Sequence, residues 1–185
     1  MTLSTKPSEE TRLQIREIDA TSRNEIDLVA QRMQATLVEV EGEANAASLH
    51  TPEWIRERLL WHVTGCHVLA KVLVVTIDDG AIIGHTVLRR EVNETSAYFG
   101  LFSTTYVLPA HRRTGVANRL LQAGEQWFAD IGLSYFCTWT SASNAKLLHL
   151  YQGNGYEITD SGSNEITGTT MVKLSKIIRR PTSAA

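Results

Sequence analysis

A short segment of the chain combines residue types that bind anions. It runs from Tyr106 to Leu121 and reads YVLPAHRRTGVANRLL, in which a strand ends at Pro109 and an amphipathic helix begins at or near Gly115. The first N–H groups of a helix have no partner inside the helix, and with the helix dipole they attract anions. A glycine there lets a diphosphate approach the backbone closely. The segment predicts a phosphate site, with an ordinary strand-to-helix turn as the alternative.

A second motif follows about 30 residues later, beyond an aromatic strand. Asn144 is followed seven residues on by Tyr151, and then by Gly155 and Tyr156. Together with Arg112-Arg-Thr-Gly-Val-Ala117, this pattern resembles the acyl-CoA signature of the GNAT superfamily of N-acetyltransferases. The two motifs lie in the order that the family shows, and the part of the chain that carries them covers roughly 98–160.

This resemblance implies a fold and a co-substrate. The fold is α/β (α+β), with a mixed, mostly antiparallel central sheet flanked by helices. The strands at 98–108 and 133–140 would run parallel and splay apart, forming the cleft for acetyl-CoA. The resemblance assigns cofactor binding to Tyr106, Val107, Arg112, Arg113, Thr114, Gly115, Val116, Ala117, Asn118 and Asn144. Asn144 also suits the N-cap of a helix, which by itself explains its presence.

The implied reaction is acetyl transfer to an amine by direct attack in a ternary complex. A lysine-like amine has a pKa near 10.4, so only about one in a thousand is neutral at pH 7.4. The departing thiolate benefits from a protonated donor, and a phenol stays protonated at neutral pH. The resemblance therefore favours Tyr151 as the catalytic acid. The alternative is a core tyrosine beside Leu147, Leu148 and Leu150.

The sequence does not identify a general base. The strand before the signature, YFGLFSTTYVL, contains no carboxylate, although many members of the family carry a glutamate there. His85 on the preceding strand, Glu39 and Glu41 remain alternatives, and a water relay without a dedicated base is the simplest expectation. Cys137 has no activating neighbour in the sequence, and alternation along its strand explains it as a core residue.

The acceptor is weakly indicated. The bulky helix predicted within LHTPEWIRERLLWHV (49–63) would close a pocket more easily than an open groove, which favours a small-molecule primary amine such as a metabolite, polyamine or amine-bearing antibiotic. A protein lysine or N-terminus, or a module that binds acyl-CoA without catalysis, stays an alternative. Trp54 and Trp61 lie seven residues apart on one helical face, and we expect them in the core, with a pocket wall as the alternative.

Hydrophobic periodicity predicts the elements that position these residues. Residues 11–177 are expected to form one domain between flexible termini at 1–10 and 178–185. The acidic segment 39–43 is expected to be a loop around Gly42. Strands are predicted at 11–18, 68–77, 81–90, 98–108, 133–140, from 155 and at 168–177, and helices at 23–38, 52–63, 115–131 and 144–154.

Composition limits the function classes further. The chain has 185 residues and a formal net charge of -2, which argues against a globally basic nucleic-acid binder. It contains no apolar run of the roughly 20 residues that a membrane helix needs, and its first 15 residues lack the apolar core of a secretory signal. Two cysteines without ligand spacing make a structural metal site or a disulfide framework improbable. We expect a cytoplasmic enzyme without metal, nucleic-acid or membrane partners, and leave homodimer formation open.

Overall fold

The computed structural model describes residues 12–178, and its centre is one seven-stranded sheet. The strand order is β1-β2-β3-β4-β5-β7-β6, and every neighbouring pair is antiparallel except β4 and β5. This arrangement confirms the expected mixed, mostly antiparallel sheet. The strands are β1 (Gln14–Glu17), β2 (Ala70–Thr76), β3 (Ile82–Val92), β4 (Tyr98–Val107), β5 (Tyr135–Ser141), β6 (Glu157–Ser163) and β7 (Thr170–Ile177).

Five α-helices cover the two faces of the sheet. They are α1 (Arg23–Glu41), α2 (Glu43–Leu49), α3 (Pro52–Thr64), α4 (Val116–Asp130) and α5 (Ala145–Gln152), and a 3₁₀ turn spans Pro109–His111. Because strand side chains alternate between faces, β2 buries Val72 and Val74 under α1 and α3, and Leu73 and Val75 in the core shared with α4 and α5. The four consecutive apolar residues of β2 are therefore buried on both faces.

The parallel strands β4 and β5 separate soon after they meet. Their backbone ladder contains only the pairs Gly100–Phe136 and Leu101–Cys137, and beyond it the Thr138 hydroxyl of β5 donates to the Phe102 carbonyl of β4 at 2.9 Å. An extra residue in β4 lies just beyond this point, because Val87 of β3 faces Thr104 whereas Leu88 faces Phe102. Such a bulge bends its strand and increases the local twist, which suits the observed opening. The predicted splay is thus present.

The segment around Gly42 differs from the expected loop. Glu39 and Glu41 belong to the last turn of α1, and Glu43 opens α2, a short helix that the sequence analysis missed. Gly42 alone separates the two helices, with a φ of 80° that favours glycine. The short EANAASL stretch forms a helix because Ala46 is buried against the fold. Tertiary packing therefore overrides a weak local signal.

The expectation of buried tryptophans on α3 is wrong. Trp54 is 45% exposed and Trp61 44% exposed, because α3 turns its other face, with Ile55, Leu59 and His62, towards the sheet. The predicted flexible termini lie outside the described residues, apart from Ile178, whose N–H donates to the Ser134 carbonyl. Among residues 12–178, no helix is both long and apolar enough to cross a membrane.

Candidate active site

A cavity of about 1110 Å³ passes through the opening between β4 and β5. On one face of the sheet it is lined by the start of α4 and by α5, and on the other by α1, the end of α2 and the turn between β6 and β7. Thr104 to Val107 of β4 and Thr138 to Ser141 of β5 form its middle. Two molecules that enter from opposite faces would meet between the splayed strands.

The start of α4 forms one end of this cavity. Gly115 is its N-cap, with a φ of 85° and no side-chain cap, so the first helical N–H groups receive no competing side-chain acceptor at that position. Gly115, Ala117 and Asn118 line the cavity, as do Arg112 and Arg113. Arg113 also has a positive φ, of 68°, which makes the turn tight. This end has the backbone geometry that an anion needs.

Two residues of the predicted phosphate loop are not among those that line the cavity. Val116 is 1% exposed and packs into the core beneath α4. The Thr114 hydroxyl donates to the His111 carbonyl and so stabilises the turn. Their side chains support the loop, and any contact with a cofactor would come from their backbone groups.

Arg112 contacts the middle of the cavity rather than the start of α4. Its guanidinium donates from Nη1 and Nη2 to both oxygens of Glu39, at 3.0 and 2.9 Å, and from Nε to the Val107 carbonyl at 2.9 Å. Lys146 on α5 donates to the same carboxylate at 2.6 Å. Hydrogen bonds from Arg112, then from Lys146, lower the pKa of Glu39 to about 2. Glu39 therefore stays ionised and links α1 to both motif regions.

Tyr106 lines the cavity between two guanidinium groups. The Arg32 and Arg112 carbons Cζ lie 5.7 and 5.9 Å from its ring centroid, within the range of cation–π contacts. The Val107 carbonyl accepts from Nε of Arg112, and Val107 is among the residues that line the cavity. Both predicted residues of β4 therefore lie along the path of the cavity.

Tyr151 combines a core ring with a hydroxyl at the opening of the sheet. Its side chain is 1% exposed, and its ring packs edge-on against Phe102 at 5.8 Å and Tyr156 at 4.9 Å. The hydroxyl lies near the Thr105 side chain of β4 and the Thr138 side chain of β5, and the residue lines the cavity. Burial raises the pKa of Tyr151 well above its ordinary value, so the phenol keeps its proton at neutral pH.

The other residues of the second motif have structural partners. Asn144 caps α5, because its side chain accepts from the Leu147 N–H, and it donates to the Thr140 hydroxyl at 3.1 Å. Gly155 has a φ of 81°, and Tyr156 is buried behind Tyr151. Cys137 is fully buried, and burial raises the pKa of its thiol to about 11, which leaves it protonated as expected of a core residue.

The candidate bases from the sequence lie in different environments. His85 is fully buried and stacks on Tyr106, but it does not line the cavity, and neither ring nitrogen has a hydrogen-bond partner within residues 12–178. Burial lowers the pKa of His85 to about 3. Glu41 lines the cavity and accepts hydrogen bonds from Thr167 and Thr169 of the β6–β7 turn.

Comparison with known protein families identifies the family of the chain. The model of the acetyltransferase (GNAT) family matches residues 35–156, about two thirds of the chain. The chain belongs to the acetyltransferase (GNAT) family. Membership confirms the resemblance and the expected enzyme class, an acetyl-CoA-dependent N-acetyltransferase.

Solved structures of GNAT proteins share this architecture at low sequence identity. The putative acetyltransferase yncA of Salmonella typhimurium, solved with its cofactor acetyl-CoA, is 16% identical with a TM-score of 0.69, over 94% of this chain and 98% of that one. A ribosomal-protein-alanine N-acetyltransferase of Brucella melitensis is also 16% identical (TM-score 0.69; 89% and 99% covered). A chain of the NatC complex bound to Gag peptide and CoA is 13% identical (TM-score 0.70; 90% and 99%). At these identities the likeness extends to the fold.

Several side chains at the GNAT site were not predicted. Lys146 lies between Asn144 and Tyr151 of the second motif, but nothing in its spacing distinguishes it from an ordinary exposed helical lysine. The helix α3 does not line the cavity, so the expected pocket closure by residues 49–63 comes only from Leu49 and His50, which precede α3. No motif next to His50 indicated that it would line the cavity.

Proposed function

We propose that the protein transfers the acetyl group of acetyl-CoA directly to a primary amine of a small molecule in a ternary complex. The observation that carries this proposal is the continuous cavity through the sheet, with an anion-binding helix start on one face and a separate approach on the other. An acetyl-CoA diphosphate at Gly115 and a thioester between the splayed strands would leave the opposite face for the amine.

The cover over the acceptor end supports a small acceptor. The Glu41 carboxylate at the end of α1 accepts hydrogen bonds from Thr167 and Thr169, which joins α1 to the turn between β6 and β7. Hydrogen bonds to a charged acceptor are stronger than neutral ones. A bridge at this position would have to open before an extended peptide could lie between the two elements.

Tyr151 supplies the acid in the proposed reaction. As the tetrahedral adduct collapses and the C–S bond breaks, negative charge develops on sulfur, and the phenol of Tyr151, near Thr105 and Thr138, can donate a proton to it. The buried Cys137, with its raised thiol pKa, is a poor nucleophile. The route through an acetylated cysteine is therefore disfavoured relative to direct attack.

A screen of acceptors tests the proposed function. Acetyl-CoA consumption would be measured with polyamines, amino-acid-like amines, amine-bearing antibiotics, and peptides with a free lysine or N-terminus. We expect turnover with a small amine, above that with any peptide. Faster turnover of a peptide would overturn the acceptor class, and acetyl-CoA binding without any turnover would indicate a non-catalytic module.

Kinetics with the best acceptor then test direct transfer. A ternary complex gives intersecting double-reciprocal plots, whereas a covalent acetyl-enzyme gives the parallel lines of ping-pong kinetics. A Cys137→Ala variant should retain activity, provided that its melting temperature shows a folded protein. Parallel plots together with loss of activity in this variant would contradict the direct route.

A further inference from the structure

The acceptor face of the cavity contains few groups that can take a proton. Within residues 12–178, the titratable side chains that line it from that face are Glu39 and Glu41 of α1, His50 at the end of α2 and Tyr106 of β4. The Tyr106 ring lies between the Arg32 and Arg112 guanidinium groups. Glu39 is held in two ion pairs, which hold its pKa at about 2, and Glu41 accepts from two threonine hydroxyls. His111 of the 3₁₀ turn and His149 of α5 also line the cavity, on the elements that carry the two family motifs.

His50 is held in place by the local chain geometry. It is the C-cap of α2, and the next residue, Thr51, caps α3 by accepting the Trp54 N–H. This cap brings Trp54 against the imidazole, and the two rings stack with centroids 3.8 Å apart and planes within 7°. One face of the imidazole is thus covered by a tryptophan that does not itself line the cavity. The half-exposed Trp54 thus packs against the His50 ring and restricts its orientation.

We propose that His50 is the catalytic base that takes the proton from the acceptor amine, and that Trp54 positions its ring. This inference rests on the proposed acetyl transfer and adds to it a group that neither family motif contains. It assigns the base to the end of α2, on the acceptor face. The strand β4, where many members of the family carry a glutamate, precedes the signature and has no carboxylate.

The proposed step balances its protons. An imidazole nitrogen of His50 takes one proton from the ammonium, and the freed lone pair forms the C–N bond to the thioester carbonyl carbon. The adduct expels the thiolate, which takes the phenolic proton of Tyr151. The amide nitrogen then loses its second proton, which restores the phenol, and the imidazolium releases its proton to water. The products are the acetylated amine, CoA with a free thiol, and one proton in solution.

The environment of His50 keeps its imidazole neutral. Partial burial lowers the pKa of His50 from its ordinary value of 6.5, so the base form dominates at pH 7. The charged groups that line the same cavity are Glu39, Glu41, Arg112, Arg113 and Lys146. Glu43 opens α2, and Glu53, Glu57 and Arg58 lie on α3. Burial is the cause that dominates the shift, rather than any of these charges.

A neutral imidazole also restricts the class of acceptor. Proton transfer to the His50 imidazole costs less free energy from an α-amine, whose pKa is about 8, than from an alkylamine, whose pKa is near 10.4. The difference of about two pKa units corresponds to roughly a hundredfold in equilibrium. We therefore expect amino-acid-like amines to be better acceptors than polyamines.

Substitution of His50 tests the base directly. In His50→Gln the side chain keeps polar atoms but cannot take a proton, so kcat at pH 7 should fall about 100-fold, the lower part of the range for general bases. Acetyl-CoA affinity and melting temperature should be unchanged. Added imidazole should restore part of the rate of His50→Ala, a response that a structural role would not produce. His67→Gln, at an exposed histidine outside the cavity, is the matched control and should behave as wild type.

Substitutions of Trp54 test its positioning role through kcat and the pH–rate profile. Trp54→Phe should keep most of the rate, whereas Trp54→Leu removes the stack and should lower kcat several-fold. Loss of the covering ring exposes His50, so its pKa rises towards 6.5 and the acidic limb of the pH–rate profile moves to higher pH.

The outcomes separate this inference from the proposed function. If the wild-type protein acetylates a small amine and His50→Gln does so equally fast at pH 7, or His50→Ala shows no imidazole rescue, His50 is not the base and the acetyl transfer stands. If the wild type binds acetyl-CoA but acetylates no amine in single-turnover experiments, both proposals fall together.

Discussion

The two ends of the cavity differ in how the chain builds them. The cofactor end comes from one continuous segment, in which β4 ends, the chain turns and Gly115 begins α4. The acceptor end is assembled from the neighbouring helices α1 and α2 and from the β6–β7 turn, which follows them by more than 100 residues, as the contact of Glu41 with Thr167 illustrates. The first end works through backbone groups, whereas the second works through side chains.

This difference explains why one end could be predicted and the other could not. A backbone site requires glycine and small residues at fixed spacing, which leaves a motif in the sequence. A site made of side chains from distant elements leaves no such spacing. Tyr151 and Glu39 lie between the two ends, and substitutions at each region should separate their contributions.

Among the substitutions that compare the two ends, the largest effect is expected at Tyr151, where the two substrates would meet. Tyr151→Phe removes the hydroxyl between Thr105 and Thr138 and keeps the ring against Phe102. We expect a 10–100-fold loss in kcat with little change in acetyl-CoA affinity, because the hydrogen bond strengthens as charge develops on sulfur. Single-turnover rates are the appropriate measurement, since slow product release could hide the loss. A wild-type rate in this variant would leave Tyr151 as a core residue.

The cofactor end should respond to Gly115→Val. In the free protein an added Cβ at Gly115 meets nothing within 4 Å, but a branched side chain there would occupy the approach of a diphosphate. We expect acetyl-CoA to bind well over tenfold more weakly in calorimetry. The matched control is Gly80→Val, because Gly80 has a φ of 82° and equally open space, yet lies in the β2–β3 turn away from the cavity. Equal affinity in the two variants would contradict this phosphate site.

The acceptor end should respond to Glu41→Gln. The amide lacks the charge that strengthens the bonds from Thr167 and Thr169, so the turn between β6 and β7 should loosen. We expect KM for the acceptor to rise about 3–10-fold, within the range of weakened charged hydrogen bonds, while acetyl-CoA affinity stays unchanged. Glu43→Gln, at an exposed carboxylate outside the cavity, serves as the control. A parallel loss of acetyl-CoA affinity would mean that the two ends are not separable.

The smallest effect is expected from the ion pairs of Glu39 with Arg112 and Lys146, and it concerns the stability of the fold. Glu39 has a folded pKa of about 2, below its ordinary 4.5, so its ion pairs stabilise the protein above pH 4.5 and lose this effect as the pH falls through 2. Because the carboxylate is 41% exposed, screening limits the contribution to about 1 kcal/mol or less. Glu39→Gln should lower the melting temperature by about 2–4 °C at pH 7.

The pH dependence provides the control for this prediction. The difference in melting temperature between wild type and Glu39→Gln should shrink between pH 4.5 and 2, as the wild-type carboxylate is protonated. A difference that persists at pH 2 would show that the substitution acts through packing rather than through the ion pairs.

The sequence by itself determined the elements whose signals are local. The amphipathic stripe of α4, the Thr51-Pro52 start of α3 and the Asn144 cap of α5 each depend on neighbours within a few residues, and the structure contains all three. The family motifs belong to the same class, because backbone conformation at Gly115 and the spacing from Asn144 to Tyr151 are properties of short segments.

Only the tertiary structure decided which side chains meet in the cavity. Arg112, a predicted cofactor-binding residue, contacts Glu39, and the predicted acidic loop is the end of α1 joined to α2. Trp54 was expected in the core but lies half exposed against His50. In each case the deciding partner is on another element or depends on the face that a helix buries. Local propensity carries no information on such contacts, because they form only when the sheet brings distant segments together.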